Sequence, residues 1–206
     1  MRIAELHPRA FHKADPTSDA IFYAPPRMVA HIDERAIGAV TALYAEHLAD
    51  GMRVLDLMSS RYSHLPEIDG LHVSGHGMNA AELAANPVLD AYFTRDLNAD
   101  HTLPLEDDAF DAALCCVSVQ YLQRPADVMR EVRRTLRPGA PLIVSFSNRC
   151  FPTKAVALWH VLGSGEERMQ YVAMAMHEAG YHDITMQDAL PEGGPGDPLH
   201  AVIGRA

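Results

Sequence analysis

The chain has 206 residues, 48% of them hydrophobic and 21% charged, and a formal net charge of −10 at pH 7. That length favours one domain, residues 1–206, with a single substantial core, and the negative balance argues against nonspecific attraction to nucleic acid or to an anionic membrane. Three cysteines, two adjacent at 115 and 116 and one alone at 150, suggest neither a disulfide framework nor a Cys-x-x-Cys metal site.

Residues 1–24 carry His, Pro, Asp and aromatic residues without periodicity. They read as an irregular arm placed to lie over a cleft. They lack an apolar signal core, and no run in the chain reaches membrane-spanning length. Together with the cysteine usage this predicts a reducing, cytoplasmic setting and no membrane partner. From Arg27 to Leu48, Val29, Ile32, Ala36, Ile37, Val40, Leu43, Tyr44 and Leu48 recur at helical spacing. The spacing predicts an amphipathic helix over residues 25–49, with Gly51 just past its end.

The sheet domain, residues 52–206, opens with a strand at Arg53-Val54-Leu55-Asp56-Leu57. Only Met58 to Gly70 separates it from the next strand, Leu71 to Gly75. Pro66 breaks this stretch and leaves room for about two helical turns at most. His64 therefore stays near the carboxyl edge of the sheet, where open α/β sheets place their ligands, and is a candidate substrate residue. Asn79 followed by Glu82 reads as a capped helix start. Ala91 to Arg95 is a short third strand, ending at Asp96-Leu97-Asn98. Asp96 there is a loop carboxylate suited to capping backbone N–H groups.

Ala109 to Val119, with Cys115 and Cys116 at its centre, is almost wholly apolar, as a strand buried on both faces must be. Pro125 opens a helix, since proline is tolerated where its missing N–H is not needed. Val128, Met129, Val132 and Leu136 form its apolar stripe, and Arg130, Arg133, Arg134 and Arg137 lie between them. Those arginines could form a phosphate stripe, but a solvated helix face is the expected reading. Pro138-Gly139 stops the helix, and Leu142, Ile143, Val144 and Phe146 form the next buried strand. Strand, helix, strand with both strands apolar throughout is a βαβ unit, hence a parallel sheet covered by helices.

Ser145 to Arg149 leaves that strand with polar residues, which makes Asn148 a second candidate for substrate contact. Pro152 to Leu162 predicts a helix containing Trp159. Ser164 and Glu167 form a capping box for another helix through Glu178, closed by Gly180. Tyr181 to Gln187 and Leu199 to Gly204 flank the loop PEGGPGDP and predict an antiparallel hairpin.

Leu103-Pro104-Leu105, Asp108, Phe110-Asp111, then Glu131, Arg134 and Leu136, then Leu136-Arg137-Pro138-Gly139-Ala140 and an apolar strand together form a recognisable series. It resembles the second half of class I S-adenosylmethionine-dependent methyltransferases, the type 11 group in particular. With its flanks the resemblance runs over residues 50–206. It implies an α/β fold with a doubly wound, mostly parallel seven-stranded sheet in the order 3-2-1-4-5-7-6, ending in an antiparallel hairpin. It also implies S-adenosyl-L-methionine as cofactor and a small-molecule acceptor, with a homodimer as a candidate assembly.

Carried over residue by residue, the strand Val54 to Leu57 matches, with Asp56 in place. Met58, Ser59, Ser60, Arg61 and Tyr62 then stand where the family has Gly-x-Gly-x-Gly. The acidic ribose partner at the end of the second strand aligns with Gly77, followed by Met78 and Asn79. Asp96, with Leu97, aligns with the residue that accepts a hydrogen bond from adenine, and Cys116 and Val117 fall at the cofactor end of the fourth strand. Tyr121 replaces a histidine common near its position, a third substrate candidate for which core packing is an equal explanation. Two outcomes stay open. Ser59, Ser60 and backbone N–H groups hold the cofactor in place of the glycine loop, or Met58 and Tyr62 fill the pocket and the chain is a non-catalytic binding or assembly module of methyltransferase fold. A dinucleotide-dependent oxidoreductase is a third reading, opposed by the absent phosphate-binding glycines.

No sequence feature names a catalytic acid or base. Methyl transfer needs few, because the sulfonium is already activated and alignment supplies most of the catalysis. The twelve histidines include no tight pair, so no metal site is expected. A Gly-x-Ser-x-Gly elbow and a P-loop are both absent.

Overall fold

The computed structural model describes residues 3–206. Strands β1 (Arg53–Leu57), β2 (His72–Gly77), β3 (Ala91–Thr94), β4 (Ala112–Cys116), β5 (Pro141–Phe146), β6 (His182–Leu190) and β7 (Leu199–Arg205) form one sheet in the order β3-β2-β1-β4-β5-β7-β6. The first five run parallel, and β7 pairs antiparallel with both β5 and β6. This is the doubly wound architecture and strand order expected from the sequence.

The α-helices are α1 (Asp19–Phe22), α2 (Glu34–Ala45), α3 (Ala80–Ala85), α4 (Pro125–Thr135), α5 (Ala157–Val161) and α6 (Gly165–Ala179). The central strands are apolar on both faces because helices cover both. Leu55, Leu57, Cys115, Val144 and Phe146 pack with Val128, Met129 and Val132 of α4, Trp159 of α5 and Val172 and Met176 of α6. Their alternates Val54, Leu114, Ile143 and Ile203 pack with Val40, Leu43 and Tyr44 of α2. Period-two alternation thus divides one sheet between two cores.

Several elements are shorter than their sequence pattern. α2 begins at Glu34, not near residue 25, because the preceding segment has tertiary partners for its backbone. The Arg27 N–H donates to Glu82 at 2.6 Å and the Asp33 N–H to Asp197 at 2.9 Å, while the Asp33 side chain caps the helix through the Ala36 N–H. α5 shrinks to Ala157–Val161, since Val156 forms a bridge to Lys13 of the arm. The crossover after β1 contains no helix. β4 stops at Cys116, and Val117 turns out of the strand with φ of 48°.

The caps are close to expectation. Ser164 accepts the Glu167 N–H at 3.2 Å, but the Glu167 carboxylate reaches back to the Gly163 N–H, one residue earlier than a capping box requires. Gly180 closes α6 with φ of 94°. Three of the four arginines on and after α4 are matched by carboxylates on or beside the helix: Arg130 with Asp127, Arg134 with Glu131 and Asp107, Arg137 with Asp111. Those three form a largely self-neutralised helix face, the reading the sequence favoured.

Candidate active site

The carboxyl ends of β1, β2, β3 and β4 converge on one edge of the sheet. Between them lies a cavity of about 220 Å³, and a smaller recess of about 50 Å³ shares its Met58, Ser59 and Ser60 wall.

After β1 the chain must turn sharply. Met58 makes the turn in the left-handed region, with φ of 56°. That conformation is nearly free for glycine and costs another residue about 1–2 kcal/mol. At this one residue the chain thus holds a conformation that glycine adopts freely. The Met58 N–H donates to His76 Nδ1 at 3.1 Å, and the Ser59 N–H to the His76 carbonyl at 2.6 Å.

Beneath the turn lies a buried polar network. Asp56 Oδ2 accepts from Ser59 Oγ at 2.5 Å and Ser63 Oγ at 2.6 Å. Asn86 donates to Ser63 Oγ and to the Ser60 carbonyl. Burial pushes the Asp56 carboxyl up to about 6, and the two hydroxyls partly offset that rise. Asp56 faces the recess and not the main cavity, so its first contact with a ligand would be through Ser59.

At the end of β2, Gly77, Met78 and Asn79 line the cavity. A side chain at Gly77 would put a Cβ 2.5 Å from the Ser59 carbonyl oxygen, so the close approach of β2 to the turn requires glycine there. Asn79 caps α3 by accepting the Ala81 and Glu82 N–H groups, and its amide also donates to the carbonyls of Tyr23 and Ala24. It is thus the helix cap expected and also an anchor for the arm. Glu82, buried in the first turn of α3, turns into the cavity and accepts from Ser60 Oγ and the Arg27 N–H. It supplies a carboxylate close to where the strand-end acid is missing.

Beyond β3, Asp96 Oδ1 accepts the Asn98 N–H at 2.9 Å, and among the described residues Oδ2 has no protein partner. Asp96, Leu97 and Asn98 all line the cavity. From β4 come Val117 and Ser118, and past them Tyr121, whose hydroxyl accepts the Phe151 N–H at 2.8 Å. Cys116 faces the recess, and burial pushes its thiol up to about 11.

The arm closes the site. Asp19, Tyr23, Arg27 and His31 form its roof. On one side the arm is held by Asn79 and Glu82. On the other, fully buried Lys154 reaches the Thr17 carbonyl at 2.6 Å, Asp15 at 3.1 Å and Asp19 at 3.4 Å, and Lys13 also pairs with Asp19. The Arg27 guanidinium lies over the rings of Phe22, Phe151 and Tyr23 at 4.5, 5.1 and 5.7 Å and has no carboxylate partner among the described residues.

Ten of the fourteen sequence candidates, Met58, Ser59, Ser60, Gly77, Met78, Asn79, Asp96, Leu97, Val117 and Tyr121, meet in the main cavity. Asp56, His64 and Cys116 belong to the recess. Asn148 is the exception: it is exposed and lines neither hollow, because the chain turns outward once β5 ends. Sequence reasoning missed Glu82 and the roof residues. The consecutive aromatics Phe22-Tyr23 ahead of Arg27 were the available signal for the roof.

Residues 53–144 match the family model described as a methyltransferase domain. An uncharacterized 37.1 kDa protein in transposon TN4556 of Streptomyces fradiae is 43% identical over 49 residues, 24% of this chain and only 14% of that protein's length. Among solved structures, a SAM-dependent methyltransferase from Aquifex aeolicus superposes with a TM-score of 0.59 at 16% identity, over 93% of this chain and 98% of that one. The cyclase SpnF superposes with a TM-score of 0.63 at 18% identity, over 89% and 86%. Phosphoethanolamine N-methyltransferase 2 of Haemonchus contortus, in complex with S-adenosyl-L-methionine, gives 0.58 at 11%, over 84% and 52%. At such identities the superpositions speak for the fold alone. Sequence from β1 into β5 matches a methyltransferase domain, and the fold over nearly the whole chain is the class I methyltransferase fold, with Met58-Ser59-Ser60 where the glycine loop would stand.

Proposed function

We propose that the protein uses S-adenosyl-L-methionine to methylate a small molecule. The observation that carries this is the cavity at the carboxyl ends of β1 to β4, kept open although three glycines are lost. The residues present fit the cofactor. Asp96 Oδ2 and the Glu82 carboxylate are acceptors for amino and hydroxyl hydrogens, Met78, Leu97 and Val117 give apolar walls for a planar base, and Met58 turns the chain with the positive φ that a glycine would adopt. When bound, the cofactor brings a methyl group already activated on a sulfonium. The chain's own part is then to hold, align and exclude water. Tyr23, Arg27 and His31 line the cavity from the arm side, and the aromatic cluster of Tyr23, Tyr121 and Phe151 favours a small acceptor lying against it.

A second reading, a non-catalytic module, is favoured by Met58 and Arg27, whose side chains line the hollow where the cofactor would lie. Titration calorimetry with S-adenosylhomocysteine separates the two. The methyltransferase reading expects micromolar binding. No heat and no thermal stabilisation at millimolar ligand would leave the fold and remove the activity.

A further inference from the structure

The loss of three glycines after β1 raises a physical question. A methionine does not stay in the left-handed region unless its surroundings hold it there. Every hydrogen bond from the turn's backbone N–H groups goes to one residue. The Met58 N–H ends on His76 Nδ1 at 3.1 Å, and the Ser59 N–H ends on the His76 carbonyl at 2.6 Å. The ring is itself fixed from the far side, where Nε2 meets the Arg95 carbonyl at 3.0 Å and Phe93 packs against it with centroids 5.2 Å apart. With Nδ1 accepting from an amide and Nε2 facing a carbonyl, the ring is the neutral Nε2–H tautomer. His76 is buried, and burial lowers its pKa to about 4, so the same tautomer holds at neutral pH. Next to it, Gly77 leaves just the space that the Ser59 carbonyl occupies.

We propose that His76 is a positioning residue: with Gly77 it clamps the Met58-Ser59 turn in the glycine-like conformation, and so sets the floor of the cofactor cavity that the missing glycines would otherwise set. The conformational freedom lost from the loop after β1 has been replaced by a hydrogen-bonding partner at the end of β2. Neither His76 nor any equivalent forms part of the recognised loop pattern, and the two segments are eighteen residues apart. The proposal rests on the methyltransferase reading only for its cofactor readout.

The test is a double-substitution cycle on His76 and Met58. In H76F a planar ring stays and both ring hydrogen bonds go. S-adenosylhomocysteine affinity is expected to fall at least tenfold, and the ligand-free thermal midpoint to fall by about 4–8 °C, the shift expected for two lost buried hydrogen bonds. In the M58G background the turn no longer needs the clamp, so the same H76F substitution is expected to cost less than threefold in affinity and less than half the shift in midpoint. Additive effects, with H76F costing the same in both backgrounds, would overturn the clamp. Should H76F fail to fold, H76N and H76Q decide. An asparagine oxygen sits where Nδ1 does and is expected to keep affinity within threefold, whereas glutamine reaches only the Nε2 position and is expected to lose tenfold; the reverse order would overturn the proposal. If the wild-type protein binds no S-adenosylhomocysteine, the methyltransferase reading fails, and the midpoints of the same four proteins still stand for or against the clamp.

Discussion

At the scale of single residues, Asp56 and His76 sit on either side of the same turn, and burial drives both toward their neutral forms. Their effects on stability run in opposite directions. The Asp56 pKa is raised from 3.8 to about 6, so between those values the folded chain holds a proton that the unfolded chain has shed. Its contribution is full below the unfolded value and is lost as pH rises through about 6, on the order of 3 kcal/mol in all. The His76 pKa is lowered from 6.5 to about 4, so the unfolded chain takes up a proton that the folded ring refuses. That costs stability as pH falls from 6.5 toward 4. The two slopes oppose one another across pH 4–6. Removing one unmasks the other. D56N is expected to gain stability relative to wild type as pH rises from 4 to 7, with thermal midpoints that diverge steadily; midpoint curves that stay parallel would contradict this. The sequence made Asp56 and Met58 visible through their place in the strand–loop pattern. It did not reveal His76, because a histidine on a strand gives no sign of which distant amide its ring will meet. Glu82 was legible as a helix-start residue, but its turn into the cavity depends on Ser60 and the arm.

At the scale of elements, periodicity located every strand and most helices, and tertiary hydrogen bonds then decided their ends. The segment before α2 shows why: its apolar spacing continues back to Val29, yet Val29 is 56% exposed, and the backbone of Arg27 and Asp33 is bonded elsewhere. The arm is the clearest case of structure without periodicity. What orders it is a buried ion cluster centred on Lys154, whose nitrogen finds two carboxylates and a carbonyl on the arm. Taking Lys154 away removes the ties to Asp15 and the Thr17 carbonyl, and leaves Asp19 paired with Lys13. K154M is therefore expected to speed hydrogen exchange in residues 13–31 while leaving the central strands β1, β4 and β5 protected. Uniform protection along the arm in the variant would show that other contacts hold it.

At the scale of the whole molecule, the strand order and the closing hairpin were legible because two apolar strands joined by a charged helix admit few topologies. The two-core division of the sheet follows from the same alternation. The cavity was legible only as a location, the carboxyl edge, since its roof comes from a segment far away in the chain. A ligand that binds only the folded protein raises its stability by mass action. S-adenosylhomocysteine at a hundred times its dissociation constant should add about 2.7 kcal/mol and lift the thermal midpoint by about 5–10 °C. A midpoint that does not move under that ligand excess would argue that the hollow takes some other guest.

The roof carries a kinetic corollary. The segment over the cavity is tied to Lys154 on one flank and to Asn79 and Glu82 on the other. Under the proposed activity, parting those ties would be a step separate from methyl transfer, and K154M, by loosening one flank, is expected to speed product release; an unchanged release rate in that variant would show that the ties do not gate passage.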